Sequence, residues 1–462
     1  MSRTFVDVGV RRIGDYITRV PRLAMIRGAS AMVSEATRED AILAMLAAAG
    51  VTGVRRNEDV GEADGVVHLE VTGSQDPALV AQHVLTHLRT ALPGADLGAS
   101  WGTGRDYASA FAQIRAMSAA GDGLEWFGAT AECAWLNPCT SCGVRAALGG
   151  GPEAECDDCR GRGAAARTDR GGIADRLAPD LDFAARELSH ITAPPPATAP
   201  ASNHIALVTA DGNGVGALFD RLVKLPDVTA EQRRRISLGL SAATAEAFRS
   251  AALAVEQDRR VRVVPVLHGG DDVSAFVGAD LAWPFTLALL ASFDEAANAM
   301  VGSVVGAEAA QSLPHLSMSA GLVFCKVKFP AADAFRVSSA LMKRAKRDSS
   351  GKLAAVSWLD VTADGVPVGD DPAAGRPVVA VAALSALDGP LRDVGLLRAS
   401  SRKRMQEILG DIDEIGVSAA DAVEYSRLQA RRVGAEDAVA PFLAADATIA
   451  LPTALDLARW WS

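Results

Sequence analysis

The order of apolar runs in this chain occurs twice, and that repeat limits the possible folds more than any single motif does. "TFVDVGV" reads as a strand, and "GASAMVSEATREDAILAMLAAAG" follows with helical apolar spacing that stops at Gly50. "VTGVRR" and "GVVHLEV" read as strands, "DPALVAQHVLTHLRTAL" as an amphipathic helix, and "ADLGASW" as a last strand. Past the Pro/Ala-rich stretch "TAPPPATAPAS" the order returns. It runs from "HIALVTA" through a long helix to "VRVVPVL" and "VSAFV", then a helix from "WPFTLALLASF" and the strand "LSMSAGLVFCKVKF". Both halves spell β-α-β-β-α-β, the ferredoxin-like pattern. The expected class is α+β: two ferredoxin-like domains, a cysteine-bearing insert between them, and a helical C-terminal domain. The boundaries expected are 1–125, 126–190, a linker over 191–203, 204–372 and 373–462.

The chain has 462 residues, room for several cores. Its net charge of −10 argues against a surface that is wholly a nucleic-acid footprint, though a local basic groove is compatible with it. No apolar stretch is long enough to span a bilayer, and the start lacks a signal-peptide layout. A cytoplasmic protein with no membrane partner is expected. Of six cysteines, Cys139, Cys142, Cys156 and Cys159 form CxxC-x13-CxxC in "CTSCGVRAALGGGPEAECDDC". Two such knuckles supply the four thiolates of a tetrahedral, structural zinc site. Cys133 is left over and reads as a small apolar residue.

The second half concentrates the remaining chemistry. "VRVVPVLHGGDDVSAF" puts Asp271 and Asp272 side by side at a hairpin tip. Alone, Gly-Gly-Asp-Asp is more often a soluble turn. In a ferredoxin-like sheet, however, the first and third strands are neighbours, so Asp211 at the end of the first can lie beside that tip. Three converging carboxylates cannot all stay ionised and unpaired, and a hard divalent cation such as Mg²⁺ or Mn²⁺ resolves the conflict. "DGNGVG" offers Gly212, Asn213, Gly214 and Gly216, small residues that let backbone amides approach phosphate. Its likeness to a dinucleotide fingerprint is weak, because a hairpin follows where a parallel crossover should. Gly269 and Gly270 serve the hairpin in the same way. Lys343 and Lys346, in "MKRAKRDSSGK", lie one turn apart on a helix and could meet a triphosphate, although such a charge run is more often a solvated face. His268 has no assigned role. The closing Trp460-Trp461 reads as a core plug more readily than as an interface. No GxxxxGK[ST], HExxH or G-x-S-x-G occurs, and none of the seven histidines precedes an Asp.

The order of these parts resembles the large polymerase/cyclase subunit of type III CRISPR effector complexes, "Cas ten" in words. "VGVRRIGDYITRVPRLAMIRGASAMVSEAT" is similar to that family's first-palm opening, and "TADGNGVGALFD" to its second-palm first strand. "HGGDDVSAF" is similar to its signature hairpin, and "ALMKRAKRDSSGK" with "AAVSWLD" to its Lys-bearing helix and next strand. The resemblance implies two palm domains that join ATP into cyclic oligoadenylate second messengers. It implies that Asp211, Asp271 and Asp272 hold two divalent metals, that Lys346 contacts the triphosphate, and that Ser30 touches a second ATP. Partners implied are other effector subunits with guide and target RNA. The histidine–aspartate nuclease domain with which many members begin is not expected here. Two other readings stay open: a stand-alone cyclase of the GGDEF kind making a cyclic dinucleotide, and a non-catalytic RNA- or protein-binding scaffold.

Overall fold

The computed structural model describes residues 2–461 except 62–63, 129–134, 169–172, 174–176, 182–187, 193–202, 226, 258–259, 368, 370, 411–418 and 445–446. Cys133 and most of the Pro/Ala linker lie outside the described residues.

The first sheet is antiparallel and contains β1 (Arg3–Arg11), β2 (Val54–Arg56), β3 (Val66–Val71), β4 (Asp96–Gly104) and β5 (Leu124–Trp126), in the order β2-β3-β1-β4-β5. The first four strands have the ferredoxin-like order read from the sequence; β5 is an added edge. Alternation decides the two faces. Val6, Val8, Val67, Leu69 and Leu97 are fully buried beneath α2 (Leu23–Ala36) and α4 (Pro77–Ala91), with the short α1 (Ile13–Thr18) leading in. The single helix expected before β2 is two, α2 and α3 (Glu39–Ala48), because the chain leaves the helical region at Thr37 and Arg38. The opposite face is partly covered by α5 (Tyr107–Ala120), which the sequence reading missed. Apolar periodicity is weak in α5, but its start is well signed: Asp106 accepts from Ser109 N–H at 2.9 Å, in a capping box.

After α6 (Asp157–Thr168) comes the second sheet. It contains β6 (His204–Asn213), β9 (Val263–Gly269), β10 (Asp272–Gly278), β11 (Ser317–Lys326), β12 (Ala355–Asp360) and β13 (Val378–Ala380); β7 (Glu256–Gln257) and β8 (Arg260–Val261) pair separately. The order β13-β12-β11-β6-β10-β9 contains the same four-strand core, extended by β12 running parallel to β11. Pro265 is tolerated because β9 lies at the sheet edge. One face packs beneath α8 (Ala230–Ala254) and α9 (Ala282–Val305), which follow the shorter α7 (Val215–Lys224). The other face carries α10 (Ala331–Asp348) and joins the core of the first domain through Leu207, Val266, Phe276 and Leu341.

The C-terminal region is helical and closes on the second sheet. Trp460 stacks on Phe324 at 5.5 Å and donates its indole N–H to Asp360 at 2.8 Å. Trp461 packs on Trp283 at 5.2 Å and donates to Asp388 at 2.9 Å. The tryptophan pair is therefore a core plug, with each indole nitrogen satisfied.

Candidate active site

Strand register brings the three aspartates together. Val273 pairs with Ala210, so the next step along the ladder sets Asp272 opposite Asp211. Gly269 and Asp272 close the hairpin, leaving Gly270 and Asp271 as a two-residue turn. Gly270 has φ +62°, the left-handed value that a type II′ turn needs at its first position. This geometry tips Asp271 onto the backbone of Gly212. A Cβ at residue 212 would lie 2.5 Å from Asp271 Oδ2, so only glycine leaves room for the carboxylate there.

The electrostatics follow from that crowding. Burial and the neighbouring charge of Asp211 push the Asp271 carboxyl up to about 6, while the Gly212 N–H donates to it and pulls the other way. Asp272 is raised as well, by the protein atoms crowded around its carboxyl and by the hydrogen bond it shares with Asp211, although the residue as a whole stays exposed at the hairpin tip. A carboxylate pair can share such a bond only when one member holds a proton. Lys346 on α10 reaches into this cluster, pairing with Asp211 and donating to Gly212 O at 2.7 Å. Lys343, one turn earlier, is exposed and makes no ion pair with a described residue. Of the two lysines, Lys346 is the one joined to the carboxylates.

The glycine-rich stretch divides its tasks. Gly214, at φ +80°, turns the chain from β6 into α7, so the unbonded amides of that helix start lie just past Asp211. Gly216 has open space around it, as does Gly269. Asn213 behaves otherwise. It is fully buried, and its amide donates to Ser317 and Ser319 at 3.0 Å and to Leu353 O at 3.1 Å. Its side chain braces β6 against β11. Ser30 is buried within α2, whose residues meet β9, the strand leading into the hairpin. His268 lies on β9 opposite Val273.

The cysteines form a second cluster. The sulfurs of Cys139, Cys142, Cys156 and Cys159 all lie within 4.8 Å of one another, and those of Cys142 and Cys156 are 4.0 Å apart. A tetrahedral zinc with Zn–S bonds of about 2.3 Å requires sulfurs about 3.8 Å apart, so the four fit that ion. Gly143, at φ +67°, closes the first knuckle, and its N–H donates to Cys139 O at 2.8 Å. Sequence spacing gave no sign of how this segment is fastened. Asp158, between two of the thiols, is fully buried and accepts from Tyr16 OH and from Arg162 Nε, each at 2.8 Å. Arg162, equally buried, also donates to Tyr16 O at 2.8 Å and Ile17 O at 3.2 Å. α6 presses so closely on α2 that Gly28 faces the Arg162 backbone with no room for a Cβ.

Residues 204–354 match the family model described as Cas10/Cmr2, second palm domain. A search of curated proteins finds no match. Among solved structures, the chain is similar to Csm1 in a Csm1–Csm4 cassette with pppApA, at TM-score 0.55 and 14% identity, covering 99% of this chain and 69% of that one. It is similar to the cassette with cA4 at TM-score 0.55 and 15% identity, with the same coverage. Csm1 from T. onnurineus gives TM-score 0.54 and 13% identity, again covering 99% and 69%. These identities speak for the fold. Among the described residues, no helix is long and apolar enough to cross a membrane. Residues 204–354 are thus similar to a second palm domain of the Cas10/Cmr2 kind, in a chain whose fold resembles that of Csm1.

Proposed function

We propose that the chain is a nucleotidyltransferase that converts ATP into cyclic oligoadenylates in type III CRISPR-type antiviral defence. The observation that carries this reading is the convergence of Asp211, Asp271 and Asp272 beside Lys346. Crowded, partly desolvated carboxylates of this kind are a poor structural device, because each raises the cost of ionising the others. They fit magnesium or manganese, whose charge would let all three ionise, and these are the residues that would hold two such ions. Bound divalent ions activate an attacking hydroxyl and offset charge on a departing pyrophosphate.

The chain's own groups then have distinct tasks. The Gly212 backbone and the type II′ turn hold Asp271 in place. Lys346, paired with Asp211 in this structure, would contact the triphosphate if cations held the carboxylates. The amides at the start of α7, with Gly214 and Gly216, offer donors to phosphate oxygens. Gly269 and Gly270 keep the hairpin tip free of side chains. Ser30 on α2 would touch a second ATP. In such a site a 3′-oxygen bonds to an α-phosphorus as pyrophosphate leaves, and rate comes mainly from positioning and electrostatics. The four thiols would hold a structural zinc.

Solved Csm1 structures contain Csm4, AMPPNP and cA4, which supports a place for this chain beside other effector subunits, with ATP as substrate. The decisive experiment incubates the purified protein with each labelled nucleoside triphosphate and Mn²⁺ or Mg²⁺, then identifies products by mass spectrometry. Cyclic oligoadenylates are expected from the parent, and none from Asp271→Ala/Asp272→Ala. A cyclic dinucleotide would favour the GGDEF-like alternative, and no turnover with tight RNA association the scaffold. Product from the double variant would remove the site assignment.

A further inference from the structure

The face of the first sheet under α5 contains a cleft of about 340 Å³, bounded by β1, β4, β5 and α5. Its inner end is a hydrogen-bonded cluster: Asp7 accepts from Tyr107 OH at 2.6 Å and meets His68 Nδ1 at 2.8 Å. The ladders show what this cluster corresponds to. Asp7 pairs with His68 as Thr209 pairs with Ser274 in the second palm. Tyr107 on α5 bonds Asp7 as Ser338 on α10 bonds Thr209, at 2.9 Å. Two residues further along the first strand, Asp211 corresponds to Gly9. Two residues back along the third, Asp272 corresponds to Val66, and Gly9 and Val66 are themselves partners. Lys346 lies two turns beyond Ser338, and Arg115 two turns beyond Tyr107 lines the cleft.

The cleft is therefore the first palm's counterpart of the carboxylate site, with the ladder carboxylates replaced by glycine and valine. From this, and resting on the reading of the second palm as a nucleotide site, we infer that it binds one low-charge nucleotide without a protein-held metal. The chemistry agrees with the size. Gly98 on β4, the partner of Gly9 on β1, has the flexible Arg11 stem against it, and movement of that stem would open the strand backbone to a base. Phe111, 41% exposed at the cleft and tilted against Tyr107, offers an aromatic edge. Arg115 is exposed, lies over the Phe111 ring at 5.9 Å and makes no ion pair with a described residue, and Arg11 is already paired with Glu125. One cation without a carboxylate partner among the described residues suits a monophosphate better than a triphosphate. A volume near 340 Å³ is at the small end of ligand sites.

The test is calorimetric titration of the full chain with AMP in buffer free of Mg²⁺ and Mn²⁺, with no chelator, so that a structural zinc stays in place. One AMP is expected per chain, with the same affinity in Asp271→Ala/Asp272→Ala. Adenosine and inorganic phosphate, each lacking half of the recognition, should bind more weakly. Gly98→Leu covers that strand backbone. The three atoms nearest its new Cβ belong to the flexible Arg11 side chain, the closest at 3.1 Å, so the fold should accept it. It should abolish binding. Arg115→Glu, on an exposed helix surface, keeps the test decisive if Gly98→Leu does not fold, and should weaken binding about tenfold or more. No AMP binding without Mg²⁺ and Mn²⁺, unchanged affinity in Arg115→Glu, or loss of binding in the second-palm double variant would overturn the inference. Oligoadenylate synthesis is scored separately, so its failure would strike the proposed function while leaving metal-free AMP binding to be judged alone.

Discussion

Gly212→Ala isolates the geometry of the carboxylate cluster from its charge. The substitution adds one methyl group and changes no titratable residue. Its Cβ would lie 2.5 Å from Asp271 Oδ2, 2.8 Å from Asp271 Cβ and 3.0 Å from Val215 Cγ2. Comfortable contact begins near 3.4 Å, so the Asp271 carboxylate must retreat by roughly 1 Å. That retreat also stretches the bond from the Gly212 N–H, one of two backbone donors to the carboxylate, beside the N–H of Asp271 itself. A misplacement of about 1 Å in a positioning group can cost on the order of 10²-fold in rate. ATP consumption by Gly212→Ala is therefore expected to fall about a hundredfold, with the melting temperature little changed. The matched control is Gly302→Ala, in α9 with open space around it, which should keep full rate and gain slightly in stability. Wild-type turnover by Gly212→Ala would refute the claim that Asp271 works from the position seen here. A parallel loss in Gly302→Ala would show that the assay reports stability instead.

Two further outcomes test the first palm. Arg162→Met leaves Asp158 buried without its cation, and removal of one partner of a buried pair costs about 3–5 kcal/mol, so chemical denaturation should show a loss of that size. A change below about 1 kcal/mol would mean that α6 is not fastened through this pair. His68 gives a pH signature: burial opposes its charge, yet Asp7 outweighs burial and raises its pKa above the ordinary value. A raised folded value means stability that is full below about pH 6.5 and is lost as pH rises through the higher folded pKa. The melting temperature should thus decline across that window in the parent and stay flatter in His68→Gln; parallel curves would remove His68 as the cause.

Much of the architecture was legible in the chain because its signals are local. Period-two alternation in "TFVDVGV" and "HIALVTA", helical spacing between them and turn residues such as Gly270 each act over a few residues. The same holds for the two CxxC knuckles, whose spacing alone implied four converging thiols. α5 escaped notice because its apolar stripe is only Tyr107, Ala110 and Ile114, and β5 because three residues carry no period.

The candidate site was legible only by residue type. Which side chain faces it depends on strand register, and register is set by pairing across distant segments. The sequence by itself determined that Asp211, Asp271 and Asp272 would exist at strand ends. The ladder between β6 and β10 decided that they meet. The same ladder with β11 turned Asn213 inward to Ser317 and Ser319, although its neighbours in sequence border the site. Helix phase on α10 chose Lys346 over Lys343, and nothing short of packing could set that phase against β6. The bolt through Tyr16, Asp158 and Arg162 joins residues more than 140 positions apart. Such partners are chosen by the shape of the buried space between elements, which a linear pattern does not encode.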